Sequence, residues 1–113
     1  MSYSVSDLSR HISDEIIYLN KTLCNVTFEQ FIHDETLLRA VTRSLEIIGE
    51  AVKKIPNDIK QRYSNTNWKE IAGMRDKLIH HYFGIDYQLV WDAIHEQLPL
   101  FQKDIEQIIN DQK

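Results

Sequence analysis

The chain contains little cysteine, proline and glycine. Cys24 is the only cysteine among 113 residues, so no intrachain disulfide can form and no zinc site can be assembled from several thiolates. Two prolines and three glycines leave no Pro/Gly-rich linker and no low-complexity segment. A chain of this length normally supports one hydrophobic core, so we expect residues 1–113 to form a single domain.

Long apolar runs are also missing. No stretch approaches the ~20 apolar residues needed to span a bilayer, and the N-terminus lacks a positively charged segment followed by an apolar one. We therefore expect a soluble, cytoplasmic protein without a membrane association. The histidines do not suggest a metal site, and we expect neither a metal nor a cofactor: His80 and His81 are adjacent and point apart, while His11, His33 and His95 are isolated.

Charge is unevenly distributed along the sequence. The net charge of −4 argues against indiscriminate binding to nucleic acid. Residues 39–77, however, hold nine Lys/Arg against five Asp/Glu, and each flanking segment holds two against six. The basic middle segment can attract phosphates locally, although a solvated helix face would explain the same distribution.

Apolar residues recur at spacings of three and four, which is typical of amphipathic helices. No stretch alternates as a strand would, so we predict an all-α, up-and-down bundle of four to five helices. Gly49 and Gly73 are poor helix formers in mid-helix, and each suggests the close approach of another helix. The predicted helices cover about residues 6–23, a short turn from Thr27 to Ile32, Asp34 or Thr36 to Ile55, Pro56 to Arg62, Trp68 to Tyr82 or Phe83 with Gly84 as the stop, and a fourth long helix after Asp86 that Pro99 interrupts.

The stretch GMRDKLIHHYFG, residues 73–84, carries the one constellation that indicates chemistry. Arg75 is followed five residues later by His80 and two residues beyond that by Tyr82. A guanidinium binds phosphate oxygens and an imidazole transfers protons near neutral pH, so the pair suits cleavage of a phosphodiester. Arg75 would hold the phosphate and His80 would move the proton. A solvated arginine and a histidine in the core are the ordinary alternatives.

The wider sequence resembles a known family. The run WKEIAGMRDKLIHHYFGID at 68–86 and the earlier RAVTRSLEIIGEA at 39–51 are similar to the HepT-like branch of the HEPN superfamily. The likeness covers roughly residues 6–112, and Arg75, His80 and Tyr82 fall on the family's Arg-x-x-x-x-His-x-Tyr motif. Asp76 is a charged variant of a position that often carries asparagine or another polar residue.

The resemblance implies a HEPN-like fold and an endoribonuclease toxin of a HEPN/MNT toxin-antitoxin pair, with the choice between tRNA and mRNA as substrate left open. We expect the cleavage to be metal-independent, because proton transfer by His80 needs no metal and the sequence offers no convincing metal site. The resemblance also implies a homodimer whose paired motifs line a shared cleft. Its antitoxin would be an MNT-type minimal nucleotidyltransferase, which would neutralise the toxin by adding AMP to Tyr82. Two other roles for Tyr82 stay open, stacking on a base and packing at the helix end.

Helix geometry bears on how the motif would work. Five residues place Arg75 and His80 about 140° apart around a helix, so either the helix is distorted or a second copy of the chain completes the site. Asp76 and His80 are four residues apart on one face, where the carboxylate would fix the tautomer of the imidazole. Pairing of Asp76 with a nearby lysine is the alternative.

A second class of function is a non-catalytic HEPN module that binds nucleotide or serves as an assembly subunit for the same nucleotidyltransferase. The acidic net charge and the lack of an obvious RNA platform favour this alternative. The remaining aromatic and histidine candidates are predicted to be structural, namely His81, Tyr63, Tyr87, Trp68 and Trp91.

Overall fold

The computed structural model is all-α, as predicted. It describes residues 3–80 and 86–113, with the side chains of 78–80 left out. No strand occurs in the described ranges, and no described helix is long and apolar enough to cross a membrane. The helices are α1 Val5–Thr22, α2 Phe28–Ile32, α3 Glu35–Lys54, α4 Asn57–Arg62, α5 Trp68–His80, α6 Tyr87–Asp92 and α7 Leu98–Asp111, and a π-helical turn, Ala93–Gln97, joins α6 to α7. The predicted bundle thus consists of three long helices, α1, α3 and α5, a fourth long segment that runs from α6 through the π turn to α7, and two short helices, α2 and α4.

Local capping determines where the helices begin. Ser4 caps α1 and Thr27 caps α2, each in a capping box in which the residue three positions on, Asp7 or Gln30, bonds back to the cap. Asp34 accepts a hydrogen bond from the backbone N–H of Leu37 and caps α3. The observed starts of α1, α2 and α3 lie close to the helix bounds predicted from the sequence. They could be predicted because a cap depends on only four or five consecutive residues.

The two prolines act slightly differently from the prediction. Pro56 was expected as the first residue of the short helix, but it is the N-cap of α4, with an extended ψ of 150°. Pro99 was expected to interrupt the last helix, yet the backbone stays helical through it. The irregularity lies just before it, in the π turn. Proline has no N–H for the carbonyl of His95, four residues earlier, and a wider turn accommodates this loss.

The core lies where α1 packs against α3 and α7, while α3 also packs against α5. Trp68 is buried and meets the ring of Phe101 edge to face at 5.6 Å between centroids. Trp91 packs against Phe28 and Phe31. Both tryptophans are therefore packing residues, as predicted. The fully buried side chains include Ile12, Ile16, Leu19, Phe31, Val41, Leu45, Ile48, Val52, Ile71, Leu98, Ile105 and Ile108.

Tyr63, at the C-terminal end of α4, contacts the C-terminal end of α7. Its hydroxyl donates a hydrogen bond to the carboxylate of Asp111, and this bond raises the pKa of Tyr63 above its ordinary value. The carbonyl of Tyr63 also accepts a hydrogen bond from Nε1 of Trp68 at 3.1 Å. A structural role for Tyr63 agrees with these contacts.

The closest approach of α3 and α5 is at Gly49. A Cβ added to Gly49 would lie 2.3 Å from the Cβ of Arg75, so any other residue would force the helices apart. This is the close helix contact that the sequence predicted at Gly49. At Gly73, by contrast, an added Cβ would meet no atom within 4 Å in the described part of the chain. A contact of Gly73 with a second copy of the chain stays a prediction.

The two glycines give a matched test of this packing. We expect Gly49→Ala to lower the free energy of unfolding by about 1–3 kcal/mol, because the new methyl group overpacks against a Cβ that cannot rotate away. At protein concentrations low enough to keep the chain monomeric, Gly73→Ala should raise it by up to about 1 kcal/mol, because alanine is the better helix former. Urea unfolding followed by circular dichroism, at several protein concentrations, measures both. Equal stabilities for the two variants would contradict the contact.

Candidate active site

Arg75 lies on α5 at the point where the helix face that packs in the core becomes partly exposed. Ile71, one helical turn earlier on the same face, is almost fully buried. Arg75 follows at the edge of the core, and its side chain passes over Gly49 of α3. The side chain is 25% exposed. The α3–α5 contact therefore fixes the base of the arginine and leaves its guanidinium near the surface.

Four charged side chains surround this point, and we call Glu50, Lys53, Arg75 and Asp76 the α3–α5 charge cluster. Nη2 of Arg75 lies 3.7 Å from Oε1 of Glu50, and Nη1 lies 3.4 Å from Oδ1 of Asp76. The same Oδ1 accepts a hydrogen bond from Nζ of Lys53 at 2.7 Å. Two cations and two carboxylates give the cluster a formal charge of zero. Lys53 thus offsets the negative charge that Asp76 adds to the motif.

The hydrogen-bond donors of Arg75 are not fully used. Its Nε is buried and has no hydrogen-bond partner among the residues that the structure describes. A buried donor without an acceptor costs about 1–3 kcal/mol, and an apolar side chain would avoid this cost. Stability alone therefore does not explain an arginine at this position. Its two terminal nitrogens make long contacts that a better anionic acceptor, such as a phosphate, can replace.

The structure describes the other predicted site residues only in part. His80 is the last residue of α5 that the structure describes, and its side chain lies outside the described residues. Tyr82 and His81 lie outside them entirely. The joining of Arg75, His80 and Tyr82 in one site, and the orientation of His80 by Asp76, therefore stay predictions. Asp76 does contact a lysine, the alternative considered from the sequence.

Two members of the charge cluster were missed by sequence reasoning. Glu50 and Lys53 are three residues apart on α3, so they project from the same side of that helix. Their spacing was visible, but their proximity to Arg75 depends on the register of α3 against α5. Gly49 was the available signal, because a glycine in mid-helix marks the point where another helix approaches.

No metal site is evident in the described part of the chain. Within that part, no group of three or more His, Cys, Asp or Glu side chains is placed to hold a metal ion.

Comparison with known proteins places the chain in a family. The profile of the family described as "Ribonuclease HepT-like" matches residues 10–108. A "Putative RNase" of Caldanaerobacter subterraneus subsp. tengcongensis is 46% identical over 91% of this chain and 92% of its own length. A "Putative RNase" of Methanocaldococcus jannaschii is 50% identical over 87% of this chain and 78% of its own.

A third relative carries the family name itself. The "Probable ribonuclease HepT" of Thermococcus cleftensis is 40% identical over 96% of this chain and 98% of its own length. No solved structure matches the chain. The family match covers both the Gly49 segment and the sequence from Arg75 to Tyr82. This chain belongs to the HepT-like ribonuclease family of the HEPN superfamily.

Proposed function

We propose that this single-domain chain is a metal-independent endoribonuclease that acts in the cytoplasm, with Arg75 and His80 as its catalytic residues. The observation that carries the proposal is the position of Arg75, which α3 holds at Gly49 with its guanidinium near the surface and with one donor that has no partner among the described residues. The family assignment supports the ribonuclease class. The catalytic roles rest on the chemistry of the two side chains.

The reaction would be an internal phosphoryl transfer within RNA. His80 accepts the proton of a ribose 2′-hydroxyl, and the 2′-oxygen attacks the adjacent phosphorus. The bond from phosphorus to the 5′-oxygen breaks, and that oxygen takes up a proton from solvent water as it leaves. Arg75 stabilises the additional negative charge on the non-bridging oxygens. The products are a 2′,3′-cyclic phosphate and a 5′-hydroxyl.

The α3–α5 charge cluster would prepare Arg75 for this role. Glu50 and Asp76 hold the guanidinium from two sides, which limits the orientations it can adopt before substrate binds. Asp76 also lies one turn before His80 on the same helix face, so its carboxylate can orient the imidazole. Through Asp76, Lys53 on α3 would be coupled to both catalytic residues.

A homodimer would complete the site. Arg75 and His80 project about 140° apart on an ideal helix, so one α5 does not present both to the same phosphate. No described residue lies within 4 Å of a Cβ added at Gly73, which supports a second copy of the chain approaching α5. In such a dimer, Arg75 of one protomer and His80 of its partner would face one shared cleft.

We further propose that the chain is the toxin of a HEPN/MNT pair, neutralised by AMP addition to Tyr82. Seven residues separate Tyr82 from Arg75, which on a helix is nearly the same direction and about 10 Å along the axis. A nucleotide attached there would bring a phosphate to the guanidinium and exclude RNA by charge and by size. The partner would be an MNT-type minimal nucleotidyltransferase.

A non-catalytic module that binds nucleotide or assembles with this nucleotidyltransferase is the second candidate. The observation that favours it is charge: the α3–α5 charge cluster is formally neutral, and the whole chain carries −4. Slowed growth on expression, relieved by His80→Ala, distinguishes the toxin from this module.

The catalytic proposal predicts the behaviour of two variants. In a chelator, purified protein should cleave a defined tRNA mixture, and His80→Ala should lower the rate about 10²- to 10⁴-fold through loss of the general base. Arg75→Ala should lower it roughly 10²- to 10³-fold through loss of charge stabilisation. Lys77→Ala, which removes an exposed cation from the same helix, is the control and should cleave normally. Cleavage that requires added divalent metal, or that survives both substitutions, would refute the mechanism.

The modification proposal predicts a change in intact mass. Incubation with the nucleotidyltransferase and ATP should add AMP to the wild type and to Tyr18→Phe, which alters a different exposed tyrosine. Tyr82→Phe should gain no mass, because it lacks the acceptor oxygen. Unchanged AMP addition in Tyr82→Phe would show that another residue is modified.

A further inference from the structure

A concave surface lies between the first half of α3 and the start of α6. We call it the α3–Tyr87 groove. Its volume is about 380 Å³, and it is open to solvent rather than enclosed. Its lining combines an aromatic ring, an aliphatic side chain and charged groups of both signs: Glu35, Leu38, Arg39, Thr42, Arg43, Glu46 and Tyr87.

The ring of Tyr87 packs against the hydrophobic core. It meets the fully buried ring of Phe31 edge to face, with 6.1 Å between centroids. Leu38 is half-buried beside it and packs against the same core. A fixed aromatic ring beside an aliphatic side chain is a surface on which a nucleic-acid base can stack. Tyr87, which the sequence indicated only as a structural residue, therefore has a packing role and an open lining surface.

The cations of the groove are spaced for a nucleic-acid backbone. Arg39 and Arg43 are one turn apart on α3, about 6 Å along the helix axis, a separation that suits neighbouring phosphates of one strand. Each has a local acidic partner: Arg39 pairs with Glu35 at 2.7 Å and Arg43 with Glu46 at 3.4 Å. Arg39 and Glu35 are 79% and 77% exposed. Exposed pairs of this kind contribute little to stability, so a phosphate can displace the carboxylate.

The groove and the α3–α5 charge cluster share one face of α3. At 100° per residue, positions 39, 43, 46, 50 and 53 fall within about 40° of a common direction. Arg43 precedes Glu50, the contact of Arg75, by seven residues, or about 10 Å along the axis. A strand whose scissile phosphate lies on Arg75 can therefore continue along α3 into the groove within one or two nucleotides.

We infer that the α3–Tyr87 groove binds a nucleotide of single-stranded RNA next to the cleavage site. The base stacks on Tyr87, and the flanking phosphates replace Glu35 and Glu46 as the partners of Arg39 and Arg43. This inference rests on the proposed ribonuclease function and adds a substrate subsite to it. The same charged face would fit a second copy of the chain instead, and the test below separates the two occupants.

The test uses the two members of one ion pair. Arg39→Gln and Glu35→Gln both break the same pair, so a structural role would affect both variants alike. RNA binding predicts opposite effects: Arg39→Gln should raise the Kd roughly 3- to 10-fold and reduce the salt dependence by about one phosphate contact. Glu35→Gln should lower the Kd roughly 2- to 5-fold, because it removes the competing carboxylate. Arg10→Gln, an equal charge change on an exposed residue of α1, is the control.

Affinity is measured by fluorescence anisotropy with a single-stranded RNA whose 2′-hydroxyls are methylated, so that it cannot be cleaved by 2′-oxygen attack. A second pair of variants tests stacking: Tyr87→Phe should bind as the wild type does, whereas Tyr87→Leu should bind roughly 10-fold more weakly. Cleavage of unmodified RNA should show the Arg39→Gln defect in KM rather than in kcat, since the groove does not touch the reacting atoms.

Several outcomes would overturn the inference. Equal RNA affinity of Arg39→Gln, Glu35→Gln and the wild type would exclude the groove as an RNA-binding site. If cleavage still depended on Arg75 in that case, the proposed ribonuclease function would stand. Loss of self-association in both variants by sedimentation velocity, with RNA binding unchanged, would assign the face to a second copy. A wild type that neither binds nor cleaves RNA would refute the groove and the proposed function together.

Discussion

The contact between Gly49 and Arg75 is the constraint on which the rest of the site depends. The Cβ of Arg75 lies where any side chain at position 49 would stand, so α3 and α5 can pack this closely only with glycine there. Ile48 and Val52, on the adjoining face of α3, are fully buried. Packing in the core therefore also fixes the position of α5. Because this packing also brings Lys53 to Asp76, the α3–α5 charge cluster is a product of the same contact.

Charge balance is the second feature of the molecule. The cluster is formally neutral, and the cations of the groove are each paired with a carboxylate. A surface of this kind does not concentrate RNA by a long-range field, as a strongly basic protein would. In the proposed function, RNA binding would instead come from short-range exchange, in which phosphate replaces carboxylate at an arginine. This arrangement favours a strand that reaches several arginines at once over indiscriminate attachment of any polyanion.

Local features of the fold were predictable and the long-range contacts of the site were not. The starts of α1, α2 and α3 were nearly predictable because capping involves only neighbouring residues, and Gly49 marked a close helix contact. The pairing of Lys53 with Asp76 joins residues 23 apart in sequence and depends on helix register, which apolar periodicity does not define. The position of Tyr87 in the groove could not be predicted for a different reason. A ring that only packs on the core and a ring that also lines a groove show the same sequence pattern.

The chemistry of the cleaved ends tests the central claim most directly. Attack by the 2′-oxygen, with Arg75 on the phosphate and His80 as the base, produces a 2′,3′-cyclic phosphate and a 5′-hydroxyl, and a substrate with a single 2′-deoxyribose at the cleavage position should resist cleavage there. Mass spectrometry of the fragments from an RNA cleaved in chelator identifies the termini. The account predicts cyclic phosphate ends that disappear with His80→Ala; 5′-phosphate and 3′-hydroxyl ends, or cleavage after the deoxyribose, would contradict it.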